Sequence, residues 1–524
     1  MATPGRTDFL TGLCLPKILA KERETGWTFT WLLCLPYLAF LVWMHVHHEM
    51  WRDEIHAWTL ARLARGFSEL VTGDRVYEGH PPLWFWYLYV WTWFVQAAWG
   101  IQVATIAAAT GAAVLFARFA PFPRYLKVLL LFSYYFGYEY TVLSRNYVLG
   151  WLFLCLFCAL YHRIRVRTIA VALVLVLLSL TSFYGLAMAM FLLAYFILDQ
   201  VSFSLDARRG SGPVEWSASA SPRLLVSVAI VSGGMLFCLL SIEPPDPNPL
   251  SPAFNFAAIT PAAVPKMLYR VTAGFLPWRH FSTSQFWATF LTFWEDGSVW
   301  PSYVGGALLV MLLLALCPSW RLMLAYAGAL ATMLLFQQAR DEGMPRHWGH
   351  FVMFFIAACW LLRTAFPQRR HWLSTAMLTG IVALQLQGSA IATIIDTREV
   401  FSGGRETAAF IRREGLQDLP MVAGPDFSAA TVAGYLRRPY FAAETEEVNE
   451  TVVFHSRRRP FSTHDLMDRA IAIARERRSP VLLICNQSLP DPPPGVTRTQ
   501  LFSSRPGTIA DEIFTVYRLQ VDRS

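Results

Sequence analysis

Long apolar runs recur along most of the chain and predict its fold. A helix that crosses a lipid bilayer needs about 20 apolar residues. Runs that approach or exceed this length lie near 27 to 47, 101 to 118, 128 to 143, 147 to 162, 168 to 182, 185 to 200, 223 to 242, 303 to 318, 320 to 338, 350 to 366 and 372 to 396. The pattern predicts a polytopic α-helical membrane protein with about 11 transmembrane helices.

One further run, "PPLWFWYLYVWTWFVQAAWG" at 81 to 100, is long enough to span but is rich in Trp, Tyr and Phe. These residues prefer the membrane–water interface. If this run lies on the outer surface, the remaining spans place the basic clusters on one side, which the positive-inside rule assigns to the cytoplasm. Those clusters are Lys17, Lys21, Arg23, Arg118, Arg124, Lys127, Arg163, Arg165, Arg167, Arg208, Arg209, Arg223, Arg321, Arg363, Arg369 and Arg370.

This topology predicts a cytoplasmic N-terminus and four external segments: 48 to 100 with interfacial helices, 138 to 147, about 243 to 302, and 338 to 350. The transmembrane domain is predicted to comprise residues 1 to 396. From 397 to 524 the chain becomes polar, with strand-like "LPMVAG", "PVLLICN" and "EIFTVYRLQ" and helical "FSAATVAGYLRR" and "HDLMDRAIAIARERR". We expect a small C-terminal extracytoplasmic α/β domain.

Composition excludes several classes of protein. The chain is 55% hydrophobic and 15% charged, which is too apolar for a soluble enzyme. The net charge of +8 is explained by cytoplasmic loops, and no nucleic-acid-binding motif accompanies it. The eight cysteines have neither disulfide-framework nor zinc spacing, and Cys155 and Cys158 lie in an apolar run where packing is the favoured explanation.

The segment "WRDEIHAWTLARLARG" at 51 to 66 follows the first span and places Asp53 and Glu54 side by side. Asp53 has two explanations, because Asp is a favoured N-cap and the residues up to Gly66 resemble a helix. The second explanation is that Asp53 belongs to a functional site.

Three other external segments carry candidate polar residues, and the arginine and histidines of the last one suit the surface binding of an anionic group, above all a phosphate. Structural hydrogen bonding by the histidines and contacts of the arginines with lipid headgroups are the alternative explanations. The candidates are Glu78 and His80 in "YEGHPPLWF", Glu139, Arg145 and Tyr147 in "YEYTVLSRNY", and Arg346, His347 and His350 in "MPRHWGH".

The predicted spans carry almost no ionisable residues, whereas the external segments carry many. A transporter is expected to hold polar groups or broken helices near the middle of the membrane. The distribution therefore favours an enzyme that works at the outer membrane surface.

The order of these motifs resembles the GT-C superfamily of membrane glycosyltransferases. The resemblance is to the bacterial branch related to protein O-mannosyltransferases (glycosyltransferase family 39), aminoarabinose transferases and Rgt-type galacturonosyltransferases. It covers roughly residues 27 to 396 and is carried by Asp53-Glu54, "GHPPLWFWYL", "YEYTVLSRNY" and "PRHWGHFVMFF". Two positions depart from the family pattern: Leu143 stands where the family has Glu, and Arg346-His347 replaces a family Arg-Tyr.

The resemblance implies transfer of a sugar from a polyprenyl-phosphate donor to a lipid, glycan or protein acceptor at the periplasmic face, in a bacterial inner membrane. Asp53 would be the base, with Glu54 in reserve, and Arg145, Arg346 and His350 would stabilise the leaving phosphate. Transfer by direct displacement would invert the anomeric centre. No cofactor is firmly predicted, although Asp53, Glu54 and Glu139 would supply oxygen ligands to a divalent metal.

Two rival functions stay open at this point. A lipid-linked-sugar flippase or another transporter would need a polar path across the membrane, which the sequence does not show. A non-catalytic assembly subunit would keep the scaffold without the chemistry. The sequence does not specify the sugar, the acceptor, the role of the C-terminal domain or the oligomeric state.

Overall fold

The computed structural model describes residues 25 to 161, 168 to 208, 220 to 243, 254 to 278, 286 to 287, 299 to 340 and 343 to 522. Three parts of the predicted external loop from 243 to 302 lie outside these ranges: 244 to 253, 279 to 285 and 288 to 298. The predicted cytoplasmic cations Lys17, Lys21, Arg23, Arg163, Arg165, Arg167 and Arg209 also lie outside the described residues.

The helical region contains fifteen helices in the described part of the chain. They are α1 (Trp27–His47), α2 (Arg52–Leu63), α3 (Glu69–Thr72), α4 (Leu83–Thr92), α5 (Gly100–Phe119), α6 (Arg124–Leu131), α7 (Tyr147–Tyr161), α8 (Thr168–Ser179), α9 (Phe183–Arg208), α10 (Ala220–Ile242), α11 (Val264–Phe275), α12 (Trp300–Leu316), α13 (Trp320–Ala339), α14 (Pro345–Ala365) and α15 (Trp372–Asp396).

Seven of these helices, α1, α5, α9, α10, α13, α14 and α15, are long and apolar enough to cross a membrane, and α7, α8 and α12 are shorter apolar helices. The prediction of a polytopic helical membrane protein is confirmed. Helix α14 is buried along almost its whole length. Helix α10 instead leaves many leucines and valines exposed, as expected of a helix whose outer face meets lipid.

The predicted span at 128 to 143 is not one continuous helix. Helix α6 ends at Leu131, a π-helical turn occupies Tyr134–Glu139, and the chain is irregular up to α7. The broken segment nevertheless follows α1 along its length. The hydroxyl of Tyr37 donates to the carbonyl of Phe136 at 2.5 Å, and a ring nitrogen of His45 lies 2.9 Å from the carbonyl of Thr141.

The aromatic run at 81 to 100 forms only the ten-residue helix α4. Ten helical residues are about 15 Å long, half of the roughly 30 Å of hydrocarbon in a bilayer. The run therefore does not form a spanning helix, in agreement with the prediction. It begins directly after Pro81-Pro82, and Trp93, Phe94 and Trp99 leave their rings exposed at its far end.

The C-terminal region is a six-stranded mixed sheet with helices on both faces. Its strands are β1 (Met421–Gly424), β2 (Tyr440–Ala442), β3 (Glu447–Asn449), β4 (Val481–Cys485), β5 (Val496–Ser503) and β6 (Thr515–Val521), in the order β3-β2-β1-β4-β6-β5. Strands β2, β1 and β4 run parallel. Helices α16 (Gly404–Arg413) and α17 (Asp426–Leu436) cover one face, and α18 (Thr463–Arg477) covers the other.

All five predicted C-terminal elements are present, whereas β2, β3, β5 and α16 were not predicted. The missed strands β2 and β3 have three residues each and lack a run long enough to show period-two alternation. Pairing with their neighbours, rather than the local pattern, makes them strands.

The C-terminal domain packs on α2. Arg52 Nη1 lies 2.6 Å from the carboxylate of Asp511, and Arg62 pairs with Glu450. The hydroxyl of Tyr435 donates to the backbone carbonyl of Met50 at 3.3 Å. The domain thus sits at the end of the helical region where α1 ends, directly against the helix that carries Asp53.

Candidate functional site

Asp53 lies in the first turn of α2 and does not cap it. The helix begins at Arg52 with Trp51 as the N-cap residue. The carboxylate of Glu54 reaches back and accepts the backbone N–H of Trp51 at 3.2 Å, which is the second half of a capping box. The capping hypothesis for Asp53 is therefore wrong, and its side chain is available for other contacts. The helix also ends earlier than expected, at Leu63 rather than Gly66.

The carboxylate of Asp53 forms an ion pair with Arg145, which lies about ninety residues away on the irregular segment before α7. The Asp53 side chain keeps 26% of its surface exposed. Burial raises the pKa of Asp53, but Arg145, Arg346 and Arg52 outweigh this effect and bring the pKa below its ordinary value. Asp53 is therefore ionised at neutral pH.

Arg346, at the start of α14, is the second cation near Asp53. Its guanidinium carbon lies 5.9 Å from the ring centre of Trp51 and 5.7 Å from that of Trp287. Its buried Nε–H has no hydrogen-bond partner among the described residues. The two indole rings hold the guanidinium in place while leaving at least one donor for a ligand.

Glu54 has a different environment from Asp53. Its carboxylate is fully buried and lies 3.0 Å from Nε2 of His48, and it accepts the backbone N–H of Ser144 at 2.6 Å. Nδ1 of His48 in turn lies 2.8 Å from Asp396. Burial alone lowers the pKa of His48, but the two carboxylates raise it to about 10. Glu54 thus holds the segment before α7 directly, through the N–H of Ser144, and holds the end of α15 through the charged imidazole of His48.

Glu139 also has protein partners. Its carboxylate accepts the hydroxyl of Tyr134 at 2.6 Å and the indole N–H of Trp287 at 3.0 Å. Trp287 belongs to the predicted external loop and connects Glu139 to Arg346. Glu139 therefore positions the ring of Trp287, which lies against the Arg346 guanidinium.

Glu78 and His80 also lie near the ion pair of Asp53 and Arg145. Nε2 of His56, one turn along α2 from Asp53, lies 2.7 Å from a carboxylate oxygen of Glu78, and its Nδ1 lies 2.5 Å from the hydroxyl of Thr451 in the C-terminal domain. Burial, together with the nearby Arg145, lowers the pKa of His80 to about 4. His80 is therefore neutral near pH 7 and available as a hydrogen-bond donor or acceptor.

The remaining candidates form an aromatic and imidazole cluster beside this site. The ring of His350 lies 5.1 Å from that of Tyr147 and stacks on Tyr184 at 4.6 Å, and Tyr184 also stacks on His347 at 5.3 Å. The hydroxyl of Tyr140 donates to the backbone carbonyl of Arg346 at 2.7 Å. The cluster fixes the first turn of α14 and hence the position of Arg346.

The structure brings Asp53, Arg145 and Arg346 together, with Glu78 and His80 alongside. It assigns Glu54 and Glu139 to neighbouring hydrogen-bond networks and Tyr147, His347 and His350 to the aromatic cluster. Sequence analysis missed His48 and Asp396, whose position at the ends of two spans was a usable signal. It also missed Trp287 and Thr451, for which no local pattern exists.

Within the described residues, no three His, Cys, Asp or Glu side chains come together as a metal site. Comparison with known proteins gives no identity: no family model, no curated protein and no solved structure matches this chain.

Proposed function

We propose that this protein is an integral-membrane glycosyltransferase that moves a sugar from a polyprenyl-phosphate donor to a hydroxyl-bearing acceptor, and that it is related to the GT-C superfamily. One observation carries the proposal. Asp53, Arg145 and Arg346, from three segments far apart in sequence, meet at one end of the helical region. A single ionised carboxylate beside two arginines is the inventory that transfer from a phosphate leaving group requires.

The proposed topology has eleven crossings. The long and the shorter apolar helices supply ten of them. The broken segment from α6 to Arg145 supplies the other, because its contacts with α1 extend from Phe29 to His45. The distribution of Lys and Arg then orients the N-terminus toward the cytoplasm and the site toward the periplasm of a bacterial inner membrane.

The reaction is a direct displacement. The acceptor oxygen attacks the anomeric carbon of the sugar while the bond from that carbon to the phosphate oxygen breaks with its electron pair. Asp53 accepts the proton of the acceptor hydroxyl, and the configuration at the anomeric carbon is inverted. Because phosphate is already a good leaving group, no second carboxylic acid is required, unlike in glycoside hydrolysis.

The ion pair with Arg145 also links donor binding to the strength of the base. An aspartate held by an arginine is a weak proton acceptor, since the pairing lowers its pKa. A donor phosphate competes with Asp53 for the Arg145 guanidinium, which can bind phosphate in bidentate fashion. Donor binding therefore loosens the ion pair and makes Asp53 a stronger base when the substrate is present.

Arg346 completes the phosphate site. The rings of Trp51 and Trp287 orient its guanidinium, and its Nε–H has no partner in the described structure. An orientation fixed in advance lowers the cost of stabilising the charge that develops on the departing phosphate. His80, which is neutral, adds a hydrogen-bonding group beside Arg145.

The test is turnover of a radiolabelled polyprenyl-phosphate sugar by the full-length protein in native membranes, comparing wild type with Asp53→Asn. We expect the substitution to lower the transfer rate by about 10²-fold to 10⁴-fold, the usual contribution of a general base. Transfer at the wild-type rate by a correctly folded Asp53→Asn protein would contradict the assignment.

Glu69→Gln is the matched control. Glu69 lies on the same external segment and pairs with Arg65 on an exposed surface, so its loss should leave the rate unchanged. If the wild-type protein moves the labelled lipid intact from one side of the membrane to the other without transferring the sugar, the protein is a flippase and the proposal fails.

A further inference from the structure

The C-terminal sheet has a topological switch point. From β1 the chain passes through α17 to β2 on one side, and it later returns through α18 to β4 on the other side. In sheets of this type ligands bind in the crevice outside the carboxyl ends of the strands at such a point. Asp426 and Asn486 lie just beyond the carboxyl ends of β1 and β4, and Glu444 lies just beyond that of β2.

Asp426, Glu444 and Arg458 form a buried polar cluster. Asn486 adjoins it through Ser428 of α17, to whose hydroxyl its amide donates at 3.5 Å. The backbone N–H of Asp426 donates to Oε1 of Glu444 at 2.8 Å, and Nη2 of Arg458 donates to Oδ1 of Asp426 at 2.5 Å. His455 lies three residues before Arg458 on the segment that returns over the cluster. Burial raises the pKa of Glu444 to about 7, with Asp426 as the next largest cause.

Four buried atoms of this cluster and its neighbours have no hydrogen-bond partner in the part of the chain that the structure describes. Two are acceptors, Oε2 of Glu444 and Oδ1 of Asn486, one is a donor, Nη1 of Arg458, and the fourth is Nε2 of His455. Glu444 and His455 are only 3% and 6% exposed. An unpaired buried polar group costs about 1–3 kcal/mol, so the unpaired atoms of Glu444 and Arg458, two residues that meet at Asp426, indicate a site whose ligand supplies the partners.

The mixture of atoms specifies the chemistry of the ligand. A hydroxyl group donates one hydrogen bond and accepts others, so neighbouring hydroxyls can satisfy the carboxylate, the amide oxygen and the guanidinium together. A phosphate would be repelled by Asp426 and Glu444. Phe454, whose ring lies 5.1 Å from the Arg458 guanidinium carbon, adds an apolar face suited to the C–H side of a sugar ring.

The cluster is continuous with the proposed catalytic site. The ring of Phe454 lies 6.0 Å from that of His56, which lies one helical turn from Asp53 and contacts Thr451. Arg52, the residue before Asp53, places its guanidinium carbon 5.3 Å from the ring of Phe427. A sugar held at the ends of β1 and β4 would therefore adjoin the base.

We propose that the switch point of the C-terminal domain binds a neutral sugar unit of the acceptor, through Asp426, Glu444, His455, Arg458 and Asn486. The inference rests on the proposed glycosyltransferase function and names the acceptor as a glycan or glycolipid. Arg458, whose side chain is 15% exposed, and Asn486 are partly exposed, whereas Asp426 and Glu444 are buried.

The test is saturation-transfer NMR on the full-length protein in detergent micelles, with the methyl glycosides of glucose, galactose, mannose and N-acetylglucosamine as probes. We expect at least one glycoside to bind, and Glu444→Gln and Arg458→Lys each to weaken its affinity about tenfold or more. Asp53→Asn should bind the glycoside as wild type does, because Asp53 lies outside this cluster.

Glu446→Gln is the matched control. Glu446 is on the same segment but pairs with Arg459 and Arg469 on the surface, so its substitution should not change binding. Melting curves identify a variant that fails to fold. If either Glu444→Gln or Arg458→Lys fails to fold, the binding affinity of the other variant is the test. The inference is overturned if no glycoside binds to wild type, if inorganic phosphate binds in its place, or if the folded variants bind like Glu446→Gln.

The two proposals fail in different ways. Glycoside binding that Glu444→Gln abolishes, combined with normal transfer by Asp53→Asn, would retain the sugar site and reject the catalytic assignment. Loss of transfer in Asp53→Asn, with no glycoside bound by wild type, would retain the catalytic assignment and reject the sugar site.

Discussion

Asp53 and Glu54 are consecutive residues of α2 that belong to two different regions of the molecule. Asp53 is partly exposed and has an arginine partner and a second arginine close by. Glu54 is completely buried and holds His48 and two backbone N–H groups. Adjacent helical positions differ by about 100° in direction. One carboxylate can therefore face the proposed reaction site while its neighbour holds the helices together.

After the loss expected for Asp53→Asn itself, the largest effect is expected from Arg145→Gln, the partner of Asp53. Loss of one donor to a developing anion costs about 10²-fold to 10³-fold in rate, and we expect that reduction in sugar transfer with a nearly unchanged melting temperature. Arg145→Lys should recover part of the rate, because it keeps the charge but not the bidentate geometry. Arg62→Gln, which breaks another arginine–carboxylate pair of α2, is the control and should transfer normally.

On the Glu54 side the expected loss is in stability. Glu54→Gln removes one of the two carboxylates around the buried His48 and presents an amide donor to groups that are themselves donors. Breaking a buried charge network costs on the order of 3 kcal/mol, so we expect a clearly lower melting temperature of the purified protein. Asp53→Asn should melt close to wild type. Equal melting temperatures for Glu54→Gln and Asp53→Asn would remove the distinction between the two carboxylates.

A smaller effect is expected from Trp287→Leu, which removes one of the two rings beside Arg346. A cation–π contact contributes about 1 kcal/mol, so the donor affinity should fall roughly fivefold, as measured by the donor KM. Trp93→Leu, at an exposed position on the aromatic run, provides the comparison. An unchanged donor KM would show that Trp287 does not position Arg346.

Stability is also expected to depend on pH. The pKa of His48 is raised from its ordinary 6.5 to about 10, so its contribution is complete below the lower value and is lost as the pH rises through the higher one. The pKa of Asp53 is lowered, so the contribution of its ion pair is lost instead as the pH falls through that pKa.

We therefore expect the melting temperature of wild type to decrease between pH 6.5 and pH 10. Glu54→Gln should show a weaker decrease, because one of the two carboxylates that raise the pKa of His48 is gone. An equally steep decrease in that variant would show that a group other than His48 causes the loss of stability at alkaline pH.

The sequence predicted the membrane fold well because each apolar run carries its own signal. The runs that became α1, α5 and α15 were located within a few residues. The segment 128 to 143 was equally apolar but is broken. A β-carbon on Gly137 would lie 2.9 Å from the carbonyl oxygen of Phe132, so the chain there needs a glycine, and such close packing is invisible to hydropathy.

The candidate site was predicted in part. Asp53, Arg145 and Arg346 were selected because they share one face of the predicted topology, and the structure brings them together. The separate role of Glu54 could not be read from the sequence, since it depends on His48 and Asp396, which are separated by 348 residues.

The amino-acid sequence by itself determined that this chain is an integral membrane protein with a mixed α/β domain at its C-terminus, because hydrophobic length and periodicity are local properties. Only the tertiary structure decided which carboxylate meets an arginine and which one is buried against a histidine. It also decided that the carboxyl ends of β1 and β4 adjoin α2. These outcomes depend on contacts between distant segments, and the energy of a charged or polar group is set by the partners that folding places beside it.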